Sequence, residues 1–117
     1  MTPQRAAVNL EEMLIKHQRE MEAHQMAMQA PLLQEEFNNH QGQIDRHKGG
    51  IGAIRPLVVG AHVRLANSAG EVVKAIRDQI IENPYRAPQL QRRYDKMLNH
   101  FQFHEEQAQY YRNYYPS

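Results

Sequence analysis

The spacing of the apolar side chains constrains this chain more than any other feature of its sequence. Leu, Met, His, Phe and Tyr recur at alternating steps of three and four residues over long stretches. This spacing places them on one face of an α-helix, in the heptad rhythm of helices that pack along their length. No stretch has the sustained alternation or the two-residue turn that is typical of β-hairpins. The pattern therefore predicts an all-α protein.

Prolines and glycines divide this pattern into predicted helices, because proline lacks an amide proton and glycine weakens or ends a helix. The breaks fall at Pro31, at Gly49 and Gly50, at Pro56, and at Asn83-Pro84. The predicted helices cover about residues 3–29, 31–48, 56–82 and 88–115. We expect a single domain over residues 1–117, an elongated bundle or hairpin of three to four helices with kinks at Pro31 and Pro56.

The lengths of these helices favour packing against a second molecule. At ~1.5 Å per residue the first and last helices would each be about 40 Å long, and one small chain does not fully cover such seams. Tyrosine is enriched at protein interfaces, and the last helix ends in a Tyr-rich segment. The predicted interface residues are Leu10, Leu14, Met21, Met28, Tyr94, Phe101, Tyr110, Tyr111, Tyr114 and Tyr115. We expect a homo-oligomer, or docking into a larger protein assembly.

Seven histidines are the most distinctive side chains of the sequence. Two pairs have a spacing of seven residues, which puts each pair on one helix face: His17 with His24, and His40 with His47. His100 and His104 are one helical turn apart, which is the spacing that lets two imidazoles share a metal ion. An alternative function is therefore a His-rich bundle that binds a metal through His100 and His104, or that responds to pH. No other cofactor is expected.

A basic cluster at the start of the last helix supports a second alternative. Its members are Arg86, Arg92, Arg93 and Lys96. Cations grouped in this way are typical of surfaces that bind a phosphate backbone. Asp95 lies inside the cluster, and the net charge of the whole chain is only +1. Nucleic-acid binding therefore stays an alternative to protein–protein interaction.

Catalytic chemistry has little support in the residue inventory. The chain has no cysteine, which excludes disulfides, Cys-zinc sites and thiol nucleophiles. Thr2, Ser68 and Ser117 are the only hydroxyl side chains besides tyrosine. Adjacent carboxylates such as Glu105 and Glu106 point about 100° apart on a helix, so they do not converge on one substrate. We expect that the protein is not an enzyme.

The expected location is the cytoplasm, or a particle assembled there. The first residues lack the apolar core of a signal peptide, and no apolar run approaches the ~20 residues that span a membrane. The sequence thus predicts a structural or interaction protein, a small self-assembling helical adaptor or scaffold component. A phage particle (a virion) or a secretion apparatus fits its size and character.

Overall fold

Helices account for nearly all of the chain in the computed structural model, which describes residues 2–115 except the side chain of Tyr114. The elements are α1 (Pro3–Ala27), α2 (Gln34–Glu82) and α3 (Ala87–Gln109). A short 3₁₀ helix (Pro84–Arg86) precedes α3, and a π-helical turn (Tyr110–Tyr114) follows it. No strand occurs between residues 2 and 115. The predicted all-α class is confirmed.

The described residues form two compact units, and α2 contributes to both. The N-terminal unit comprises the described residues through Val58, together with Tyr115. The C-terminal unit comprises Val59–Tyr114. Each unit contains one pair of consecutive helices, so each is described separately below.

In the N-terminal unit, α1 and the first half of α2 form an antiparallel hairpin. The Thr2 hydroxyl accepts a hydrogen bond from the Arg5 amide at 3.1 Å, which confirms the predicted helix start. Residues 28–33 connect the two helices and include Pro31. Pro31 therefore lies between two separate helices, as the predicted boundaries 3–29 and 31–48 indicated, and not within one kinked helix. Proline has no amide proton with which to continue the α1 ladder.

Helix α2 is the main departure from the predicted boundaries. It runs without interruption through Gly49, Gly50 and Pro56, so the predicted helix end at residue 48 and the new helix at residue 56 are both wrong. No glycine among the described residues has a positive φ, the conformation that a helix-ending glycine usually adopts. The buried side chains of Ile51 and Ile54 continue the heptad steps across this segment. Their burial stabilises the helix where local propensity opposes it.

Gly50 serves close packing between the helices of this hairpin. A Cβ atom at this position would lie 2.9 Å from Cε1 and Nε2 of the His17 ring on α1. The absence of a side chain lets the imidazole rest against the α2 backbone. Gly50 thus fits a helix–helix contact, although its sequence neighbourhood resembles a helix end.

In the C-terminal unit, the second half of α2 faces α3. A Cβ atom at Gly70 would lie 3.2 Å from two ring atoms of Phe101, so the helices again approach closely at a glycine. Alanines make up much of the buried apolar surface of this unit: Ala61, Ala66, Ala69 and Ala108. The other buried apolar residues of this unit are Leu65, Ile76, Leu90 and Tyr111. The small residues on this half of α2 therefore leave room for aromatic rings such as that of Phe101.

Several residues predicted to form an interface lie inside the chain itself. Leu14 and Met21 are buried in the N-terminal unit, and Tyr111 and Tyr115 are also buried. Leu10, Met28, Tyr94 and Phe101 are half-buried, Tyr110 is exposed, and the side chain of Tyr114 lies outside the described residues. A heptad seam packs equally well within a hairpin and between chains, so an interface between copies through these residues stays a prediction.

Within residues 2–115, no helix is both long enough and apolar enough to cross a lipid bilayer.

Candidate functional site

Six of the seven histidines form three hydrogen-bonded pairs, and each pair joins two helices. In every pair the two Nδ1 atoms face each other, at 2.9 Å for His17 and His47 and 2.8 Å for His24 and His40. The third pair, His62 and His104, also has a 2.9 Å separation. These pairs are the most distinctive chemical feature of the described residues.

The antiparallel hairpin explains the two pairs of the N-terminal unit. Residue numbers rise from 17 to 24 along α1, while those of the partners fall from 47 to 40 along α2. The spacing of seven residues on both helices keeps both pairs on the facing sides. The rings of His24 and His47 also stack, with centroids 6.0 Å apart and planes inclined by 19°. Four imidazoles therefore form one contiguous group in this unit.

Glu20 gives the His17–His47 pair a carboxylate. It lies on α1 one turn from His17, and its Oε2 is 3.3 Å from Nε2 of His47. A carboxylate accepts hydrogen bonds, so this contact favours a proton on Nε2 of His47. In the neutral imidazole Nδ1 of His47 is then the acceptor, and Nδ1 of His17 donates to it. When both rings are neutral, the contact with Glu20 favours opposite tautomers for the two rings.

These three side chains also meet a geometric requirement for metal binding. One ligand atom from each of His17, Glu20 and His47 lies within 4.8 Å of the others. Among the described residues, this is the only such group of three or more His, Asp or Glu side chains. His47 is buried, while His17 and Glu20 are half-buried. The group is therefore anchored in the hairpin and still reachable from solvent.

The pair in the C-terminal unit has different surroundings. His62 is only 3% exposed and His104 only 9%, so both rings are buried. The ring of Tyr111 stacks on His62, with centroids 6.0 Å apart and planes inclined by 5°. Phe103 packs its edge against His104, with centroids 5.1 Å apart. Aromatic rings thus surround this pair.

The structure divides the residues that the sequence suggested for metal binding. His104 is buried and paired with His62, whereas His100 is exposed on α3. Metal binding through His100 and His104 stays a prediction. Glu20 and His62 were not among the residues predicted from the sequence. The i, i+3 spacing of His17 and Glu20 on α1 was a visible signal for the first.

The four basic residues suggested for nucleic-acid binding are all exposed: Arg86, Arg92, Arg93 and Lys96. Arg86 precedes α3, and the other three lie in its first half. Their exposure agrees with either a solvated surface or a binding surface, so nucleic-acid binding also stays a prediction.

Comparisons with known proteins add no functional information: no protein-family model, curated protein or solved structure matches the chain.

Proposed function

We propose that the protein is a self-associating helical interaction protein, and that two copies pair through the outward face of α3. The observation behind this proposal is a second heptad stripe on α3, opposite its buried seam. Its members are Arg92, Lys96, Asn99, Phe103, Glu106 and Tyr110, at steps of four, three, four, three and four residues. All six are exposed. Steps of three and four residues follow every face of an α-helix, so this face stands out by the two exposed aromatic rings among its charged side chains.

Two aromatic rings make this stripe more apolar than an ordinary solvated face. Phe103 is 51% exposed and Tyr110 is 42% exposed. Aromatic side chains are enriched in the centres of protein interfaces because they bury a large area when they bind. Exposed rings in a heptad stripe therefore favour a partner helix as the occupant.

The charges along α3 favour a second copy of the same helix. Residues 87–98 carry three cations and one carboxylate, a net +2, and residues 99–109 carry two carboxylates, a net −2. Within the described residues, Arg92, Lys96 and Glu106 have no ion-pair partner. An antiparallel pair of α3 helices matches the positive half of each copy with the negative half of the other.

The positions of these charges fit a two-fold axis through Asn99. Arg92 and Glu106 are each seven residues from Asn99. Two-fold symmetry therefore brings Arg92 opposite Glu106 of the second copy, and repeats this ion pair on the other side of the axis. Lys96 approaches Phe103 of the second copy, a geometry in which a cation is attracted to a ring face.

A charge exchange tests this arrangement. Arg92→Glu and Glu106→Arg each place like charges opposite one another twice, and each should weaken self-association by about tenfold or more. The double variant Arg92→Glu/Glu106→Arg restores opposite charges and should recover most of the wild-type affinity. Sedimentation velocity over a range of concentrations measures all three. Lys74→Glu, at an exposed position on α2, is the matched control.

Two outcomes contradict the proposal. One is a wild-type chain that stays monomeric at every concentration. The other is a double variant as weak as the single variants. If Arg92→Glu instead abolishes binding to an oligonucleotide, with a steep dependence on salt, the basic cluster binds phosphate and the nucleic-acid alternative replaces this one.

A further inference from the structure

The N-terminal histidine group has a geometry that hydrogen bonding alone does not require. Two chemically equivalent atoms, Nδ1 of His17 and Nδ1 of His47, point at each other over 2.9 Å. A hydrogen bond between them needs opposite tautomers, because two Nδ1–H groups or two lone pairs repel one another. A metal ion satisfies both lone pairs at once, so converging imidazole nitrogens are a metal-ligand arrangement as well as a hydrogen bond.

We propose that His17, Glu20 and His47 bind one divalent transition-metal ion, with Zn²⁺ as the best match. Two His nitrogens and one carboxylate oxygen are a ligand set that Zn²⁺ uses in proteins, with the fourth position left to water. This inference concerns the N-terminal unit and does not depend on how α3 associates.

The two rings need only a small adjustment to hold an ion, whereas Glu20 must turn its carboxylate toward it. With Zn–N bonds of about 2.05 Å and a tetrahedral angle, two ligand nitrogens are about 3.3 Å apart. The two Nδ1 atoms, now at 2.9 Å, need to separate by a few tenths of an ångström. One ligand atom of Glu20 lies within 4.8 Å of a nitrogen of each ring. Its Oε2 now contacts Nε2 of His47, so the side chain must rotate toward the Nδ1 side of that ring to complete the ligand set.

The surroundings of the three side chains also suit an ion. Ligands from α1 and α2 are held by the packed hairpin, with His17 against the α2 backbone at Gly50. The Glu20 side chain is 44% exposed, which gives the ion a path from solvent. Its carboxylate supplies negative charge that the other pairs lack, because no comparable group occurs around His24 and His40 among the described residues.

Binding changes the tautomer of one ring and releases no proton. His47 presents the Nδ1 lone pair, since its Nε2 proton faces Glu20 in the metal-free state. His17 moves its proton from Nδ1 to Nε2 through solvent, and its Nδ1 lone pair then binds the ion. The hydrogen bond between the rings is replaced by two metal–nitrogen bonds.

Isothermal titration of the full, untagged chain with ZnCl₂ tests the proposal. We expect one ion per chain, with affinity lowered at least about tenfold by His17→Ala or His47→Ala. Glu20→Gln removes the charge, keeps the shape and should also lower the affinity about tenfold. His100→Ala removes an exposed histidine outside this group and should bind as the wild type does.

Cobalt provides an independent readout. Co²⁺ bound by His17, Glu20 and His47 should give the intense visible absorption of a tetrahedral site, and Zn²⁺ should displace it. Circular dichroism of each variant shows whether the helices remain. If His47→Ala unfolds, Glu20→Gln provides the decisive measurement. The Glu20 side chain is partly exposed, and the amide oxygen of a glutamine there can still accept a hydrogen bond from His47.

Three results would overturn the assignment. The first is the absence of saturable binding to the wild-type chain. The second is an unchanged affinity in both His17→Ala and Glu20→Gln. The third is a stoichiometry of three ions, which would mean that each histidine pair binds metal and that Glu20 has no special role.

Discussion

The two units differ in how deeply they bury their paired histidine side chains. In the N-terminal unit the most completely buried side chains are aliphatic, Leu14, Ile51 and Val58. Of the four histidines of this unit only His47 is buried. In the C-terminal unit alanines fill much of the core, and the rings of His62 and His104 are themselves buried. An interhelical histidine pair therefore serves as a partly solvated group in one hairpin and as core packing in the other.

This difference indicates where to look for chemistry. A buried pair surrounded by rings has its polar atoms satisfied by neighbours and contributes mainly to packing and specificity. A partly exposed pair with a carboxylate beside it is open to a ligand. The His17–His47 pair has both properties and the His62–His104 pair is buried, so the proposed metal site belongs to the N-terminal unit.

The largest expected loss of stability comes from shortening an aliphatic side chain in the core of the N-terminal unit. Leu14 is 0% exposed, so Leu14→Ala should lower the free energy of unfolding by about 2–5 kcal/mol, from lost burial and a residual cavity. Leu90→Ala in the C-terminal unit is the matched change at a slightly exposed leucine and should cost less. Urea denaturation followed by circular dichroism measures both. An equal or larger loss for Leu90→Ala would break the contrast between the two cores.

A second, smaller effect tests the burial of the imidazoles. His62→Ala leaves the buried Nδ1 of His104 without this hydrogen-bond partner and should cost about 1–3 kcal/mol of unfolding free energy. His24→Ala removes one member of a half-buried pair, whose partner can turn to water, and should cost less than about 1 kcal/mol. The same denaturation experiment compares them. The contrast fails if the two losses are equal.

The smallest expected change in stability concerns the glycines at which the helices of each unit approach one another. Gly50→Ala places a methyl group 2.9 Å from the His17 ring, which is held by His47, so we expect a loss of about 1 kcal/mol. Gly70→Ala meets the Phe101 ring at 3.2 Å and should be closer to neutral. Gly42→Ala meets no atom within 4 Å and should stabilise the helix by about 0.5–1 kcal/mol. Thermal unfolding ranks the three variants, and a gain for Gly50→Ala would remove the close-packing role of that residue.

The sequence predicted the helical class, because the apolar side chains follow the period of the α-helix. It did not predict the continuity of α2. Gly49, Gly50 and Pro56 are local helix breakers, whereas the burial of Ile51 and Ile54 that outweighs them depends on a second helix. Local propensity and tertiary packing oppose each other here, and packing decides.

The histidine pairs could not be predicted from the sequence, because pairing also depends on how the helices pack. The spacing of His17 and His24, and of His40 and His47, showed that each pair shares a face. Which imidazole meets which depends on where the chain turns, and Pro31 left open whether α1 continued or ended. Once the link at residues 28–33 is known, an antiparallel hairpin brings 17 to 47 and 24 to 40.

The two pairs of the N-terminal unit also select one alignment of the hairpin from its near copies. Sliding α1 along α2 by seven residues keeps every heptad position in step, so apolar contacts alone discriminate weakly against it. After such a slide only one histidine meets another, His17 with His40 or His24 with His47, and the remaining imidazoles lose their partners. The observed alignment is the one that matches all four. The histidine pairs thus favour the native register of the two helices over registers shifted by one heptad.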